Sequence, residues 1–141
     1  MHSQTHIASE PMAGLMTTSD GKTGVVARLI YKPADPYAVI ATITDQAGVI
    51  QIWRIGRDLM LAGLTAPEAE PAGLDRLRVW ACEHPAGHSL MIGMVASFVA
   101  LLELDVAEVA AFLATTLDAV PRDAEALHLD FDAELDQLAS R

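Results

Sequence analysis

The chain has 141 residues, 52% hydrophobic and 20% charged, with 9 Lys+Arg against 19 Asp+Glu for a net charge of −10. That is one domain's length with a globular composition, which excludes a disordered polar chain. A surface this acidic repels phosphate backbones and anionic lipid, so a basic nucleic-acid binder is disfavoured.

Residues 1–11 are expected to be a flexible N-terminal segment, and residues 12–141 a single domain. Met1-His2-Ser3-Gln4-Thr5-His6 has neither the basic cluster nor the apolar stretch of a signal peptide. Met12–Thr18 is a weak strand candidate, followed by the turn signal Asp20-Gly21-Lys22. Val25–Tyr31 is rich in β-formers, and Pro33 and Pro36 break the run after it. Tyr37–Thr44 and Val49–Ile55 are predicted strands joined by the loop Asp45-Gln46-Ala47-Gly48. The last strand places Val49, Gln51, Trp53 and Ile55 on one face and Ile50, Ile52 and Arg54 on the other. Both faces are largely apolar, which predicts a strand covered on both sides.

Arg57–Ala62 reads as a short helix closed by Gly63 at C′. Thr65–Gly73, with two prolines, is expected to be a loop. Leu74–Ala81 is predicted as a strand with Leu77, Val79 and Ala81 inward and Arg76, Arg78 and Trp80 on the other side. Glu83–Gly87 is a turn, and Ser89–Leu102 reads as further strand or one long bent strand with Gly93 marking a bulge. Its nearly unbroken apolar run, from Leu90, is shorter than the roughly 18 residues of a bilayer span, so a soluble, cytoplasmic protein is expected.

Asp105-Val106-Ala107-Glu108 resembles a capping box and opens a helix to about Leu117, ended by Val120-Pro121. Apolar and alanine residues lie nearly all round that helix, so its second side is expected to meet either the last helix or a neighbouring subunit. Asp132–Ala139 is predicted as that last helix. Charge is uneven along the chain. Residues 103–141 hold 10 acids against 2 bases, a net −8, and residues 1–102 hold 9 against 7, a net −2. Strands followed by helices predict an α+β fold: an antiparallel sheet of about six or seven strands with helices packed against it.

Few residues carry candidate chemistry. Cys82, His84 and His88 are the one group with metal-ligand residue types, but zinc needs three or four convergent ligands, and a hairpin loop with a packed thiol explains them as well. Asp130, Asp132, Glu134 and Asp136 lack the glycine and spacing of a calcium loop, and acids at a helix start are favoured by its dipole. Arg57-Asp58 beside Trp53 reads either as an anchoring site or as a surface ion pair at a helix start. With no Gly-x-Ser-x-Gly elbow and no glycine-rich phosphate loop, neither catalysis nor a cofactor or metal is expected.

Several segments, in order, resemble the SsgA-like family of actinobacterial sporulation and cell-division proteins. They are Tyr31-Lys32-Pro33-Ala34-Asp35-Pro36-Tyr37-Ala38-Val39 with Ala41-Thr42, then Trp53 ahead of Arg57-Asp58-Leu59 and Gly63-Leu64, then Arg78-Val79-Trp80. Ala100-Leu101-Leu102-Glu103, Thr116–Pro121 and Asp130-Phe131-Asp132-Ala133-Glu134-Leu135 complete the set. The chain departs from the family at Ala81, where a proline is usual, and in its long acidic loop Thr65–Asp75.

The resemblance implies a Whirly-like fold, a homo-oligomer of the trimeric kind, and a non-enzymatic adaptor that controls septum-site selection through the tubulin-like division protein FtsZ or another SsgA-like protein. The motif residues Asp35, Pro36, Tyr37, Trp53, Arg57, Asp58, Arg78 and Trp80 are implied to matter, in a role the resemblance does not specify. A single-stranded nucleic-acid binder is the alternative, resting on Arg54, Arg57, Arg76 and Arg78 with Trp53 and Trp80.

Overall fold

The strand signals are taken up by one antiparallel sheet. The structure, a computed structural model, describes residues 6–74, 76–95 and 99–128. In chain order they form β1 (Ile7–Ala8), β2 (Met12–Thr18), β3 (Gly21–Tyr31), β4 (Ala38–Thr44), β5 (Ile50–Gly56), α1 (Arg57–Gly63), β6 (Ala72–Leu74), β7 (Leu77–His84), β8 (Gly87–Val95), β9 (Val99–Asp105) and α2 (Val106–Ala119), then a 3₁₀-helix over Arg122–His128. The sheet runs β5-β4-β3-β2-β9-β8-β7-β6, and β1 extends the edge of β3 beyond β2.

The nine described strands exceed the six or seven expected, for two reasons. β1 and β6 are two and three residues long, too short to show a period. The apolar run from Ser89 is the larger departure: it is a hairpin, with Ser89 opposite Asp105 and Val95 opposite Val99, and its connection falls in residues 96–98, outside the described residues. Both arms put alternate residues into the core, so their sequence reads as one continuous strand. Gly93 pairs regularly with Arg78 and Leu101 and marks no bulge. The sheet begins at Ile7, inside the stretch expected to be flexible. Ser9 holds that junction, its amide donating to the Leu29 carbonyl and its hydroxyl accepting from the Leu29 amide.

Tight turns set the register. Thr18 lies opposite Gly21 across Ser19-Asp20, and His84 lies opposite Gly87 across Pro85-Ala86. Both glycines have positive φ, 117° and 142°, which other residues rarely adopt. Asp45 closes the β4–β5 loop by accepting from the Ala47 and Val49 amides, both at 2.9 Å.

The helices cover one face of the sheet, as the α+β reading requires. Leu29, Val39, Ile43, Trp53, Ile55, Val79, Leu90, Ile92, Leu102 and Leu104 point to that side and pack with Met60 of α1 and Val109, Phe112 and Leu113 of α2. The sheet curls so that α1, which follows β5 directly, also lies against β7 at the far end. Gly63 permits the approach: a Cβ there would overlap the Val79 side chain. Gly63 is thus the last helical residue and a packing glycine, not the expected C′ cap. Asp105 does cap α2, accepting from the Glu108 amide at 3.0 Å. The predicted helix Asp132–Ala139 and its acids Asp130, Asp132, Glu134 and Asp136 lie outside the described residues.

Candidate functional site

Strand alternation places every second residue on the face that the helices leave uncovered. Val26, Thr44 and Ile50 form one row across β3, β4 and β5, and Arg28, Thr42 and Ile52 the next. Further along the sheet the same face carries Leu15 opposite Glu103, Met91 opposite Trp80, and Val95 opposite Val99. Leu15, Val26, Ile50, Ile52, Val95 and Val99 are all exposed large hydrophobics, Ile50 at 61% and Ile52 at 69%. Among the described residues β5 is therefore covered on one side only, contrary to the reading of its two apolar faces. Periodicity registers that both faces are apolar but not whether a second layer exists. Among the described residues β5 is also the terminal strand, so its free edge borders the apolar rows.

The family-motif residues divide between a buried anchor and this surface. Arg57 is fully buried. Its Nη1 donates to the Thr116 and Val120 carbonyls at 3.1 and 2.7 Å, and its Nη2 to Glu125 Oε2 at 2.8 Å. The guanidinium lies 5.1 Å from the centre of the Tyr31 ring, within cation–π range. Tyr31 in turn donates to the Pro36 carbonyl at 2.9 Å, and burial pushes its hydroxyl up to about 12; the nearby Arg57 charge opposes that shift, and Glu125 and Asp35 add to it.

The other motif residues complete the anchor. The Tyr37 carbonyl accepts from the Arg57 amide, Asp35 pairs with Arg54 at 3.0 Å, and Asp58 pairs with Arg122 at 3.1 Å. The surface Arg57–Asp58 pair is thus replaced by two separate bridges from α1 to the segment after α2. Trp53 is buried and donates to Gln51 Oε1. Arg78 and Trp80 lie apart on β7, on the uncovered face. The nucleic-acid alternative loses Trp53 and Arg57 to the core, where neither reaches a ligand.

A pocket of about 360 Å³ opens between β2, the β7–β8 hairpin and the start of α2. His84 Nε2 lies 2.8 Å from Ser89 Oγ, and Ser89 donates to Glu103 Oε2 at 3.0 Å. His88 faces away to Glu83, 3.6 Å off, and the Cys82 thiol contacts the Glu83 carbonyl. The three candidate ligands therefore do not converge: Cys82 and His84 share a strand face but turn to different partners, and His88 lies on the opposite face with Glu83. Sequence reading gave Ser89, Glu103, Tyr31 and Glu125 no site role, because the Ser89–Glu103 and Arg57–Glu125 partners lie 14 and 68 residues apart and leave no local pattern.

A family model described as the Streptomyces sporulation and cell division protein SsgA matches residues 25–125. The chain is 34% identical over 135 residues to the sporulation-specific cell division protein SsgB of Streptomyces coelicolor, covering 95% of this chain and 96% of the relative. It is 32% identical over 130 residues to the same-named protein of Frankia casuarinae, covering 92% and 88%. Among solved structures, a Streptomyces coelicolor SsgB, studied for mutations that correlate with longitudinal cell division during sporulation, superposes with a TM-score of 0.75 at 30% identity, covering 89% of this chain and 95% of that one. An SsgA-like sporulation-specific cell division protein from Thermobifida fusca gives 0.81 at 25% identity, covering 97% and 98%.

Proposed function

Because the chain belongs to the SsgA family of sporulation and cell division proteins, we propose that it is a non-enzymatic adaptor of sporulation-specific cell division that selects septum sites by recruiting the tubulin-like protein FtsZ. The observation that carries this reading is the uncovered sheet face, where exposed Val26, Ile50 and Ile52 adjoin the free edge of β5. A contiguous apolar face of this kind marks an interaction surface, and an open strand edge adds backbone donors and acceptors for a docking segment. The rows are carried by paired strands of one sheet, and a surface already ordered lowers the cost of binding. A homo-oligomer, trimeric by the family resemblance, is the form in which the platform acts, and light scattering on the purified protein reads its mass.

The test is co-sedimentation with FtsZ polymers. Ile50→Thr with Ile52→Thr keeps β-forming residues but removes apolar area. A buried isoleucine contributes about 1.5–3 kcal/mol, so the pair should weaken capture by tenfold or more with an unchanged melting temperature. Undiminished capture by that variant would remove the uncovered face from the mechanism. No capture by the wild-type chain would direct the search to a different division protein.

A further inference from the structure

The pocket beside α2 holds a carboxylate, Glu103, whose described polar partners are a serine and a histidine. An ionised carboxylate only accepts, so the Ser89 hydroxyl gives its proton to Glu103 and takes a hydrogen bond from His84 Nε2. Glu103 thus has a hydroxyl and an imidazole for company, the imidazole nitrogen 3.9 Å from its oxygen. Among the described residues no lysine or arginine pairs with it, whereas Asp35, Asp58 and Glu125 each hold an arginine. Ser89 is 6% exposed, so the group that orients the carboxylate is itself fixed by packing. Asp105 stands at the same rim, while Ala13 and Leu15 form an apolar wall. An apolar wall leading to a carboxylate fits a side chain with a methylene stem and a cationic head.

We propose that this pocket binds a lysine or arginine side chain presented by a partner protein, with Glu103 as its counter-ion. The site is separate from the β5 edge, so the inference stands whether or not that edge docks FtsZ. Leu15 lies directly opposite Glu103 on β2, so the stem of the incoming side chain packs on Leu15 while its head meets the carboxylate. Asp105 gives one oxygen to the cap of α2 and adds negative potential at the mouth.

The experiment is a titration of the isotopically labelled full chain, followed by amide NMR, with N-acetyl-arginine amide. N-acetyl-citrulline amide serves as the uncharged control of the same shape, and spermidine and Zn²⁺ are titrated in parallel. The arginine probe should give saturable shifts confined to Ala13–Leu15, His84–Ser89 and Glu103–Asp105, and the citrulline probe none. Glu103→Gln, which keeps the shape and the Ser89 hydrogen bond, should weaken the arginine probe roughly tenfold or more. Leu15→Lys, which supplies an ammonium from within, should abolish its binding while the fold is kept. Equal responses to arginine and citrulline, or full affinity in both variants, would overturn the proposal. A response to spermidine alone would assign the pocket to free polyamines, and one to Zn²⁺ alone to a metal; either result also overturns it.

Discussion

Arg57 joins three parts of the chain that are far apart in sequence: the start of α1, the end of α2 and the 3₁₀-helix that carries Glu125. Its guanidinium does for α2 what a basic residue in the last turn usually does, satisfying carbonyls left over at the helix end. Arg57→Ala leaves the Glu125 carboxylate buried and unpaired, so it should cost about 3–5 kcal/mol in urea denaturation. Arg57→Met combined with Glu125→Leu should cost less than Arg57→Ala alone, because no orphan charge remains. Tyr31 adds a pH signature. Below pH 10 its hydroxyl is neutral in folded and unfolded chains alike, and its contribution to stability is complete. Between pH 10 and about 12 only the unfolded chain loses the proton, so stability falls as pH rises, by roughly 2–3 kcal/mol. Tyr31→Phe should flatten that decline, measured by urea unfolding at successive pH values across the window.

At the scale of elements, what is legible in the sequence follows how local the cause is. β2, β4 and the capped start of α2 are read within a residue or two, because turn chemistry, alternation and an N-cap act over a few positions. β1 and β6 exist because β3 and β7 offer them partners, and such a cause has no local trace. The same holds at the candidate site. Arg57 is recognisable as a motif residue, but its burial depends on Glu125, 68 residues on. The exposure of Ile50 and Ile52 depends on the absence of a second layer among the described residues, which no strand encodes in itself. Gly63 shows the point within a single contact: as sequence it reads as a helix end, while in the fold it admits Val79 of β7 against α1. Gly63→Ala should therefore destabilise, by about 1–3 kcal/mol in the same denaturation assay, although alanine is the better helix former. A stabilised variant would mean that α1 can move off β7 at no cost.

At the scale of the whole molecule, cationic side chains and apolar rows share the uncovered sheet face. Lys22, Arg28, Arg54 and Arg78 fall on the uncovered sheet face by strand alternation, against Glu103 and Asp105 on the same face. The chain as a whole is at −10, with most of the excess acid beyond residue 102. An approaching acidic partner is therefore repelled by the net charge of −10 and drawn locally to the cations beside the apolar rows. Orientation is selected by the field before any contact forms. Such steering acts over a Debye length of about 10 Å at 0.1 M salt and shrinks as salt rises. Two separable effects follow for the proposed capture of FtsZ, taken as such an acidic partner. Raising NaCl from roughly 50 to 300 mM should slow association several-fold while leaving dissociation nearly unchanged, because the apolar rows are insensitive to screening. Arg28→Ala should lower the association rate and flatten its salt dependence, whereas Ile50→Thr with Ile52→Thr should raise the dissociation rate and leave the salt dependence intact. Stopped-flow measurement of both variants separates the two contributions, and a salt dependence that survives Arg28→Ala unaltered would place the steering charges off this face.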